Sequence, residues 1–410
     1  MVMVYSKALN KSIKVDRFIG HHKGKEPGPT LIFIGGMHGN EPSGVFALQQ
    51  VLQEIIENDL NVKGNIYALS GNLWALEKGE RYHKQDLNRL WTKETIAKLL
   101  RGELKPENED IAQQMELYHT IEEILHTEKG PFYFMDLHST SGKTIPFALL
   151  NDSLLNRKFV AQYPIPLVLG IEEYLEGPLL SYINEMGYVA FGYESGQHDE
   201  FMAIQNHIAF IYLTTVFAGS IAEKEIDYQG YFEMLAKTST DKRDFYEIFH
   251  RHRIKKRERF SMLPGYINFQ QLSKGEKVAI SNGEEILATK KGRIFMPLYQ
   301  HQGAEGFFNI RRIPSFFLLL SSALRKIHLD AILPILPGVK WLLPDRDGLM
   351  VDKRVARFFS KQFFHLLGYR SREVDQRYMI IKNRERKSRK KEYINAPWNH
   401  SYRPVRQSVK

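Results

Sequence analysis

Between residues 30 and 220 the chain alternates short apolar runs with longer amphipathic stretches, and this order constrains its fold more than any other feature. The stretch after LIFIGG, for example, places Val45, Leu48 and Val51 on one face of a helix. Buried strands are predicted at LIFIGG, NIYAL, PFYFMDLH, PLVLGI and YVAFGYE. Strands that alternate with amphipathic helices form a sheet with helices packed on its faces. We therefore predict an α/β fold.

The chain is predicted to divide into three parts. Long helices are predicted at 107–128 and 202–256, so the first part, residues 1–256, holds the sheet and its helices. In residues 257–312 short apolar segments are separated by KGE, SNGE and KKGR, where Gly or Asn supplies the positive φ that tight turns require. This second part is predicted to be a small β domain. Residues 313–410 are predicted to form a basic, mainly helical extension with a flexible tail.

The basic character of the chain belongs to its C-terminal quarter. The sequence of 410 residues has a formal net charge of +10. Residues 311–410 contain 23 Lys and Arg against 8 Asp and Glu, so the remainder carries a small excess of negative charge. The run KNRERKSRKK, residues 382–391, suggests one alternative function, a weak contact with nucleic acid or an anionic membrane. No aromatic residue lies within the run to stack on bases.

Composition also limits the kind of site. The sequence contains no cysteine, so any metal must be held by His and carboxylate side chains. The N-terminal stretch MVMVYSKALNKSIKVDRF lacks the unbroken apolar core of a secretory signal, and we expect a cytoplasmic protein. The longest apolar stretch, residues 313–324, is shorter than the ~20 residues of a membrane span, and we expect a buried helix there.

His38 and Glu41 lie where the first apolar run ends, in GGMHGNEPSG. Open α/β sheets bind ligands at the carboxyl ends of their strands. The glycines let the backbone bend so that the two side chains converge. The spacing suits a pair of metal ligands, although a His and a Glu in a loop are also common as solvated surface groups.

A second polar pair ends the strand FYFMDLHST. Side chains alternate along a strand, so Asp136 and His138 share one face, and a buried polar pair needs a partner. One interpretation is a core histidine hydrogen-bonded to Asp136. The other is a metal site in which His38, Glu41 and His138 supply two imidazoles and one carboxylate. That is the ligand set of a catalytic zinc ion with its fourth position open.

Two further segments carry polar groups that suit catalysis. In ERYHKQDLNRLW, the side chains of Arg81, Asn88 and Arg89 could grip a substrate carboxylate and polarise a carbonyl oxygen. A salt-bridged surface loop is the alternative. Glu194 ends the strand YVAFGYE, where partial burial would raise its pKa toward the range useful to a general base. His198 is either a neighbour of this site or an exposed residue.

Together and in this order, the segments GGMHGNE, RYHKQDLNR, DLHST and YESGQ resemble the succinylglutamate desuccinylase/aspartoacylase family, a branch of the carboxypeptidase-like zinc hydrolases. The segment NGEEILATKKGRIFMPLYQHQGAEGFF also resembles the C-terminal β domain of that family. The resemblance implies a carboxypeptidase-like mixed sheet flanked by helices and one zinc ion per chain. It also implies hydrolysis of the amide bond of a small N-acyl amino acid.

The resemblance further implies roles for residues around the metal. His38, Glu41 and His138 would ligate zinc. Glu194 would act as the general base and then as the general acid. Arg81 would polarise the scissile carbonyl and stabilise the oxyanion. These assignments agree with the interpretation of the same residues as a catalytic zinc site.

Substrate binding is assigned by the same resemblance. Asn88 and Arg89 would hold the carboxylate of the N-acyl amino acid, and Tyr299, in MPLYQ, would reach the pocket from the β domain. The sequence departs from the family in two places. Aspartoacylases carry a further arginine shortly before the catalytic glutamate, whereas residues 182–194 contain no basic residue. The basic extension, residues 313–410, has no recognisable counterpart.

A second enzyme remains as an alternative at this point. A metallo-carboxypeptidase that acts on peptides or cell-wall fragments would use the same zinc ion. Asn88 and Arg89 would read a C-terminal peptide carboxylate equally well. The sequence leaves the choice between the two enzymes and the oligomeric state open.

Overall fold

The computed structural model describes residues 1–239, 242–342, 348–355, 361–373 and 377–400. The strands are β1 (Val2–Ser6), β2 (Lys11–Val15), β3 (Phe18–Lys23), β4 (Glu26–Gly35), β5 (Lys63–Ser70), β6 (Phe132–Thr140), β7 (Phe147–Leu150), β8 (Leu167–Leu169), β9 (Val189–Gln197), β10 (Phe245–Arg253), β11 (Phe260–Met262), β12 (Gln271–Leu272), β13 (Lys277–Ser281), β14 (Glu284–Leu287), β15 (Gly292–Phe295), β16 (Glu305–Arg312), β17 (Val339–Trp341), β18 (Gly348–Asp352), β19 (Tyr369–Glu373) and β20 (Tyr378–Asn383). The α-helices are α1 (Ser43–Glu57), α2 (Leu73–Lys78), α3 (Lys93–Leu100), α4 (Glu109–Thr127), α5 (Leu154–Val160), α6 (Leu179–Glu185), α7 (Phe201–Ala218), α8 (Tyr228–Thr238), α9 (Ser315–Lys326), α10 (Lys361–Leu366) and α11 (Pro397–His400).

An 11-stranded mixed sheet runs through the molecule in the order β12-β15-β16-β10-β8-β7-β9-β6-β4-β5-β3. Strands β5, β4, β6 and β9 are parallel neighbours at its centre, so their carboxyl ends meet at one edge. The predicted mixed sheet flanked by helices is confirmed. The strands predicted from LIFIGG, NIYAL, PFYFMDLH, PLVLGI and YVAFGYE correspond to β4, β5, β6, β8 and β9.

Both faces of the central strands are covered, and alternate side chains pack on opposite sides. In β4, Leu31 and Phe33 pack with α1 and α7, whereas Ile32 and Ile34 pack with α4 and α6. Among the described residues, α7 is the helix that is long and apolar enough to cross a membrane by length and composition, and 78% of its apolar window is buried within the fold. The helix therefore forms part of the core of the sheet.

The helices predicted over 202–256 are confirmed as far as Thr238, but the prediction is wrong for the remainder, which contains β10. Helix α7 ends at Gly219, which adopts the left-handed conformation that terminates helices. Helix α8 follows, and then β10 begins at Phe245. In β10 the buried side chains Tyr246 and Ile248 alternate with less buried neighbours, as expected for a strand. The predicted helix at 107–128 is confirmed as α4.

Residues 257–312 are rich in strands, as predicted. Strands β11, β13 and β14 form a small three-stranded sheet, while β12, β15 and β16 extend the large sheet through the antiparallel pairing of β16 with β10. Strand pairing therefore continues across the expected boundary after residue 256. This arrangement places the β15–β16 connection above the carboxyl edge of the central strands, where Met296, Pro297, Leu298 and Gln300 line the candidate site.

The extension differs from the mainly helical segment that the sequence predicted. Its described residues include a four-stranded antiparallel sheet, β17-β18-β20-β19, together with α9 and α10. The predicted flexible tail falls on residues 401–410, which lie outside the described residues. The end of the described chain packs into the main core, where Tyr393 and Trp398 are buried against Tyr133 and Phe159.

Helix α9 is not the buried helix expected for residues 313–324. Its apolar residues Phe316 and Leu319 are 67% and 61% exposed, whereas Ser321 and Arg325 are buried. The inward face is polar because its groups have partners there. Ser321 Oγ donates to the carbonyl oxygen of Leu366 at 2.8 Å, and Arg325 pairs with Asp152. The helix therefore turns its polar side toward the protein and an apolar stripe outward.

Candidate active site

The loop after β4 brings His38 and Glu41 to the carboxyl edge of the sheet. Gly36 turns the chain with a φ of +69°, in the region that favours glycine. Gly39 packs so closely on the backbone of Ala75 that a side chain there would collide with it. The two glycines therefore fix the bend that directs the imidazole of His38 and the carboxylate of Glu41 toward the same point.

Strand β6 supplies the second imidazole. Asp136 and His138 lie on the same face as Phe134, as strand alternation predicts. His138 is directly opposite Glu194 in the parallel register of β6 and β9. The chain segments that hold His38, His138 and Glu194 are thus neighbours at one edge of the sheet.

His38, Glu41 and His138 converge on one point. His38 Nδ1 lies 2.9 Å from Glu41 Oε1, and His138 Nδ1 lies 2.9 Å from Glu41 Oε2. One ligand atom from each residue lies within 4.8 Å of the others, and all three side chains are buried. This group could hold a metal ion, as the sequence predicted.

Each of the two imidazoles has its own carboxylate beside its second ring nitrogen. His38 Nε2 lies 3.0 Å from Asp86 Oδ1, and His138 Nε2 lies 2.8 Å from Asp136 Oδ2. In metal sites such carboxylates fix the ring orientation and the tautomer, so that the other nitrogen is available to the metal. From the sequence, the pairing of His138 with Asp136 is an alternative to a metal site, but the geometry allows both at once. Asp86 was missed, although it lies within the quoted motif RYHKQDLNR.

The electrostatics of the site favour positive charge. Burial opposes ionisation of Glu41, yet His38 and His138 hold its pKa well below the usual range. Burial also lowers the pKa of His138, but Asp136 and Glu41 together hold it well above the usual range. A proton and a metal ion compete for the same ring nitrogen. The pocket formed by these carboxylates therefore suits a cation.

Glu194 is buried beside this group. Its side chain is 4% exposed, and its Oε2 has no hydrogen-bond partner among the described residues. Burial raises the pKa of Glu194 to about 8; the charge of His138 opposes the shift, whereas that of Glu41 adds to it. A buried carboxyl group with a raised pKa and an unpaired oxygen is suited to exchanging a proton with a molecule in the cleft.

The motif RYHKQDLNR contributes three polar side chains to the same cleft, those of Arg81, Asn88 and Arg89. Arg81 is braced by two carboxylates, with NH1 3.1 Å from Glu41 Oε1 and NH2 3.3 Å from Asp86 Oδ2. Asn88 Nδ2 donates to Asp136 Oδ2 at 3.2 Å, and its Oδ1 accepts from the backbone N–H of Leu179. The motif is therefore not a salt-bridged surface loop but part of the cleft wall.

Arg89 lies further out along the cleft and is 27% exposed at its side chain. Its NH1 donates to the carbonyl oxygen of Asn88 at 2.8 Å, and its NH2 lies 3.5 Å from Glu305 Oε2. His198 also lines the cleft, with Nδ1 2.7 Å from Ser139 Oγ, and is thus a neighbour of the site.

Tyr299 does not reach the cleft, in contrast to the expectation from the resemblance. Its hydroxyl donates to the carbonyl oxygen of Leu263 at 2.7 Å and accepts from the N–H of Tyr266 at 3.0 Å. These bonds turn the ring toward the small β sheet. The residues of this segment that line the cleft are Met296, Pro297, Leu298 and Gln300.

The basic run 382–391 folds back onto the protein, and many of its cations are paired. The pairs are Lys382 and Arg384 with Glu185, Arg386 with Asp330, Arg389 with Glu392, and Lys390 with Glu385. Paired cations have less charge to offer to phosphate groups. The contact of this run with nucleic acid or anionic lipid stays a prediction.

Part of the sequence is similar to known proteins. Residues 27–211 match the model of the succinylglutamate desuccinylase/aspartoacylase catalytic domain. A succinylglutamate desuccinylase of Pseudomonas fluorescens (strain Pf0-1) is 39% identical over 67 residues, which are 16% of this chain and 20% of that enzyme. One from Photorhabdus laumondii is 35% identical over 75 residues, 18% of this chain and 22% of the enzyme. The chain thus matches these relatives over only about a fifth of their length.

Solved structures show the same fold over a longer part of the chain. The succinylglutamate desuccinylase of Vibrio cholerae covers 70% of this chain and 82% of its own, with a TM-score of 0.52 and 15% identity. A succinylglutamate desuccinylase/aspartoacylase of Rhodobacter sphaeroides covers 72% of this chain and 88% of its own, with a TM-score of 0.52 and 17% identity. Residues 27–211 thus match the catalytic domain of the succinylglutamate desuccinylase/aspartoacylase family, and the chain shares the fold of the solved structures that carry this name.

Proposed function

We propose that this protein is a cytoplasmic zinc-dependent hydrolase that cleaves the amide bond of a small N-acyl amino acid. The observation that carries the proposal is the convergence of His38, Glu41 and His138 beside the buried Glu194. A site for a metal ion and a carboxyl group suited to proton transfer then lie in one cleft. Hydrolysis of an amide needs both functions.

The donor set fits zinc. Two imidazole nitrogens and one carboxylate are typical of catalytic zinc sites, where the fourth position stays open. The carboxylates of Asp86 and Asp136 leave Nδ1 of each imidazole directed at Glu41, which is the arrangement that a shared metal requires. When bound, zinc would lower the pKa of a coordinated water molecule to roughly 7 and polarise the scissile carbonyl.

Glu194 would transfer the proton. In the first step its carboxylate takes a proton from the attacking water molecule, and in the second it returns that proton to the leaving amine. Within the part of the chain that the structure describes, its Oε2 has no hydrogen-bond partner, so it is available for this transfer. Because a divalent cation favours the ionised carboxylate, the metal would lower the pKa of Glu194 from about 8 toward neutrality.

Arg81 would stabilise the negative charge that develops on the carbonyl oxygen. Glu41 and Asp86 hold its guanidinium beside the metal ligands, so the charge is positioned before the reaction begins. Loss of such a donor raises the barrier by roughly 3 to 4 kcal/mol. Arg89, with Asn88 beside it, would hold the carboxylate of the substrate at the outer end of the cleft.

A substrate screen with the zinc-loaded protein tests the proposal. N-acyl amino acids and short peptides are offered to the wild type and to the Glu194→Gln variant. We expect hydrolysis of N-acyl amino acids by the wild type alone, with zinc and substrate binding retained in the variant. Cleavage restricted to peptides would favour the carboxypeptidase, and near-normal activity of Glu194→Gln would remove this residue from the mechanism.

A further inference from the structure

One wall of the cleft is apolar. We call it the apolar pouch and define it as Leu149, Ile171, Leu175, Leu180, Ala190 and Gly192. Leu149, Leu175 and Leu180 are only partly buried, because part of each side chain faces the open cleft. Partly buried leucines that surround a concave site are typical of the part of a binding pocket that receives an apolar group.

The pouch adjoins the proposed general base. In β9, Ala190, Gly192 and Glu194 line the cleft, while the intervening residues pack on the opposite core. Leu149 is directly opposite Gly192 in the antiparallel register of β7 and β9. A Cβ at position 192 would lie 3.3 Å from Leu180 Cδ1, so glycine lets this leucine cover the strand. An apolar group in the pouch would therefore lie close to the scissile bond.

The cleft has few cationic side chains that could bind a second carboxylate. Among the described residues that line it, Arg81 and Arg89 are the only Lys or Arg side chains. Arg81 is braced beside the metal ligands, and Arg89 is the cation that remains for a carboxylate. The cleft also contains the carboxylate of Glu305, 4.0 Å from Arg251 NH1 and 3.5 Å from Arg89 NH2. This negative charge would repel a second acidic group.

We propose that the substrate has a single carboxylate, held by Arg89, and an apolar chain that fills the pouch. The inference rests on the proposed function, since it concerns the substrate of the same site. A second carboxylate, as in succinyl or aspartyl compounds, would lose its water against leucine side chains without gaining a cation, and this is strongly unfavourable. An alkyl or aryl group in the same place would contribute favourable free energy of binding, because its apolar surface is removed from water.

The inference is tested by measuring the binding of small compounds to the zinc-loaded Glu194→Gln variant, which is expected to bind them without hydrolysing them. The compounds are N-acetylleucine and N-hexanoylglycine, which have an apolar side chain or acyl chain, and the dicarboxylates N-acetylaspartate and N-succinylglycine. We expect at least one apolar ligand to bind on the order of a hundredfold more tightly than either dicarboxylate. Equal or tighter binding of a dicarboxylate would overturn the inference. Turnover of the same compounds by the wild type is read separately: absence of any hydrolysis contradicts the proposed function, not the binding order.

Leu180→Arg and its matched control Leu180→Gln test the position of the pouch. Both remove the apolar group, but only arginine adds a cation. We expect both variants to bind the preferred apolar ligand about tenfold more weakly than the wild type does. Only Leu180→Arg should bind a dicarboxylate more tightly, by about tenfold. If both variants keep their zinc and their unfolding temperature and still bind the apolar ligand as the wild type does, the pouch is not the binding site.

Discussion

Arg325 and Asp152, 173 residues apart in the sequence, form a buried ion pair in which Arg325 NH2 lies 3.0 Å from Asp152 Oδ2. Arg157 and Arg370 contact the same carboxylate, and these cations hold its pKa well below the usual range despite burial. Asp152 follows Asn151, which lines the cleft. The C-terminal extension is thus tied to the wall of the candidate active site.

We expect Asp152→Asn to lower the free energy of unfolding by about 3 to 5 kcal/mol, because it leaves buried arginines without their shared partner. Urea denaturation of the two proteins measures the difference. Glu94→Gln is the control, since Glu94 forms an exposed pair with Lys98 and its loss should leave the unfolding midpoint unchanged. Equal stability of Asp152→Asn and the wild type would contradict the role of this network.

Metal content tests the ligand set directly. The double substitution His38→Ala, His138→Ala removes two of the three proposed ligands, and we expect the purified variant to contain no zinc. The control is His21→Ala, which alters an exposed imidazole stacked on Tyr67 at 3.9 Å between ring centroids. Elemental analysis gives the metal-to-protein ratio. An unchanged ratio in the double variant would place the metal elsewhere.

Asp86→Asn tests the carboxylate that sequence reasoning missed. The substitution weakens the hold on His38 Nε2 without touching a ligand, and such changes typically reduce metal affinity about 10- to 100-fold. Competition with a chelator measures the affinity. Asp199→Asn, which alters an exposed pair with Lys7, serves as the control. Wild-type affinity in Asp86→Asn would show that His38 needs no such support.

The raised pKa of Glu194 predicts a pH dependence of stability in protein treated with a chelator. Between about pH 4.5 and 8 the folded state holds a proton on Glu194 that the unfolded state has lost, so unfolding becomes easier as pH rises. Glu194→Gln lacks this proton. We therefore expect the stability of the wild type, relative to the variant, to fall over this range. Zinc should reduce the fall, and a constant difference with and without zinc would contradict the assignment.

The residues of the candidate site could be predicted from the sequence because their positions follow from simple rules. A polar residue at the end of a buried strand lies at the sheet edge, and alternation puts Asp136 and His138 on one face. Parallel strands then bring His38, His138 and Glu194 together whatever their separation in sequence. The role of Asp86 was not predictable in this way, because one more acid in a polar loop carries no signal until its imidazole partner is placed.

Other errors have equally physical causes. For Tyr299 the resemblance identified the right segment but not the direction of the side chain, which depends on the carbonyl of Leu263. In the extension, β18 (GLMVD) and β20 (YMIIKN) are short and mostly apolar without a clear alternation, and such runs do not distinguish a strand from a helix. The polar inward face of α9 depends on Asp152, far away in sequence, and no local pattern reveals such a partner.

Trp398 and Tyr393 complete the main core although they come late in the sequence, and this affects the order of folding. The indole of Trp398 is 2% exposed and donates a hydrogen bond to the hydroxyl of Tyr133, while Tyr393 accepts one from the N–H of Val189. Glu194 leaves the ribosome about two hundred residues before these aromatic side chains, and His38, Glu41 and His138 leave it earlier still. The nascent sheet therefore lacks part of its core until residues 393–398 have been synthesised, and consolidation of this core is a late step in folding.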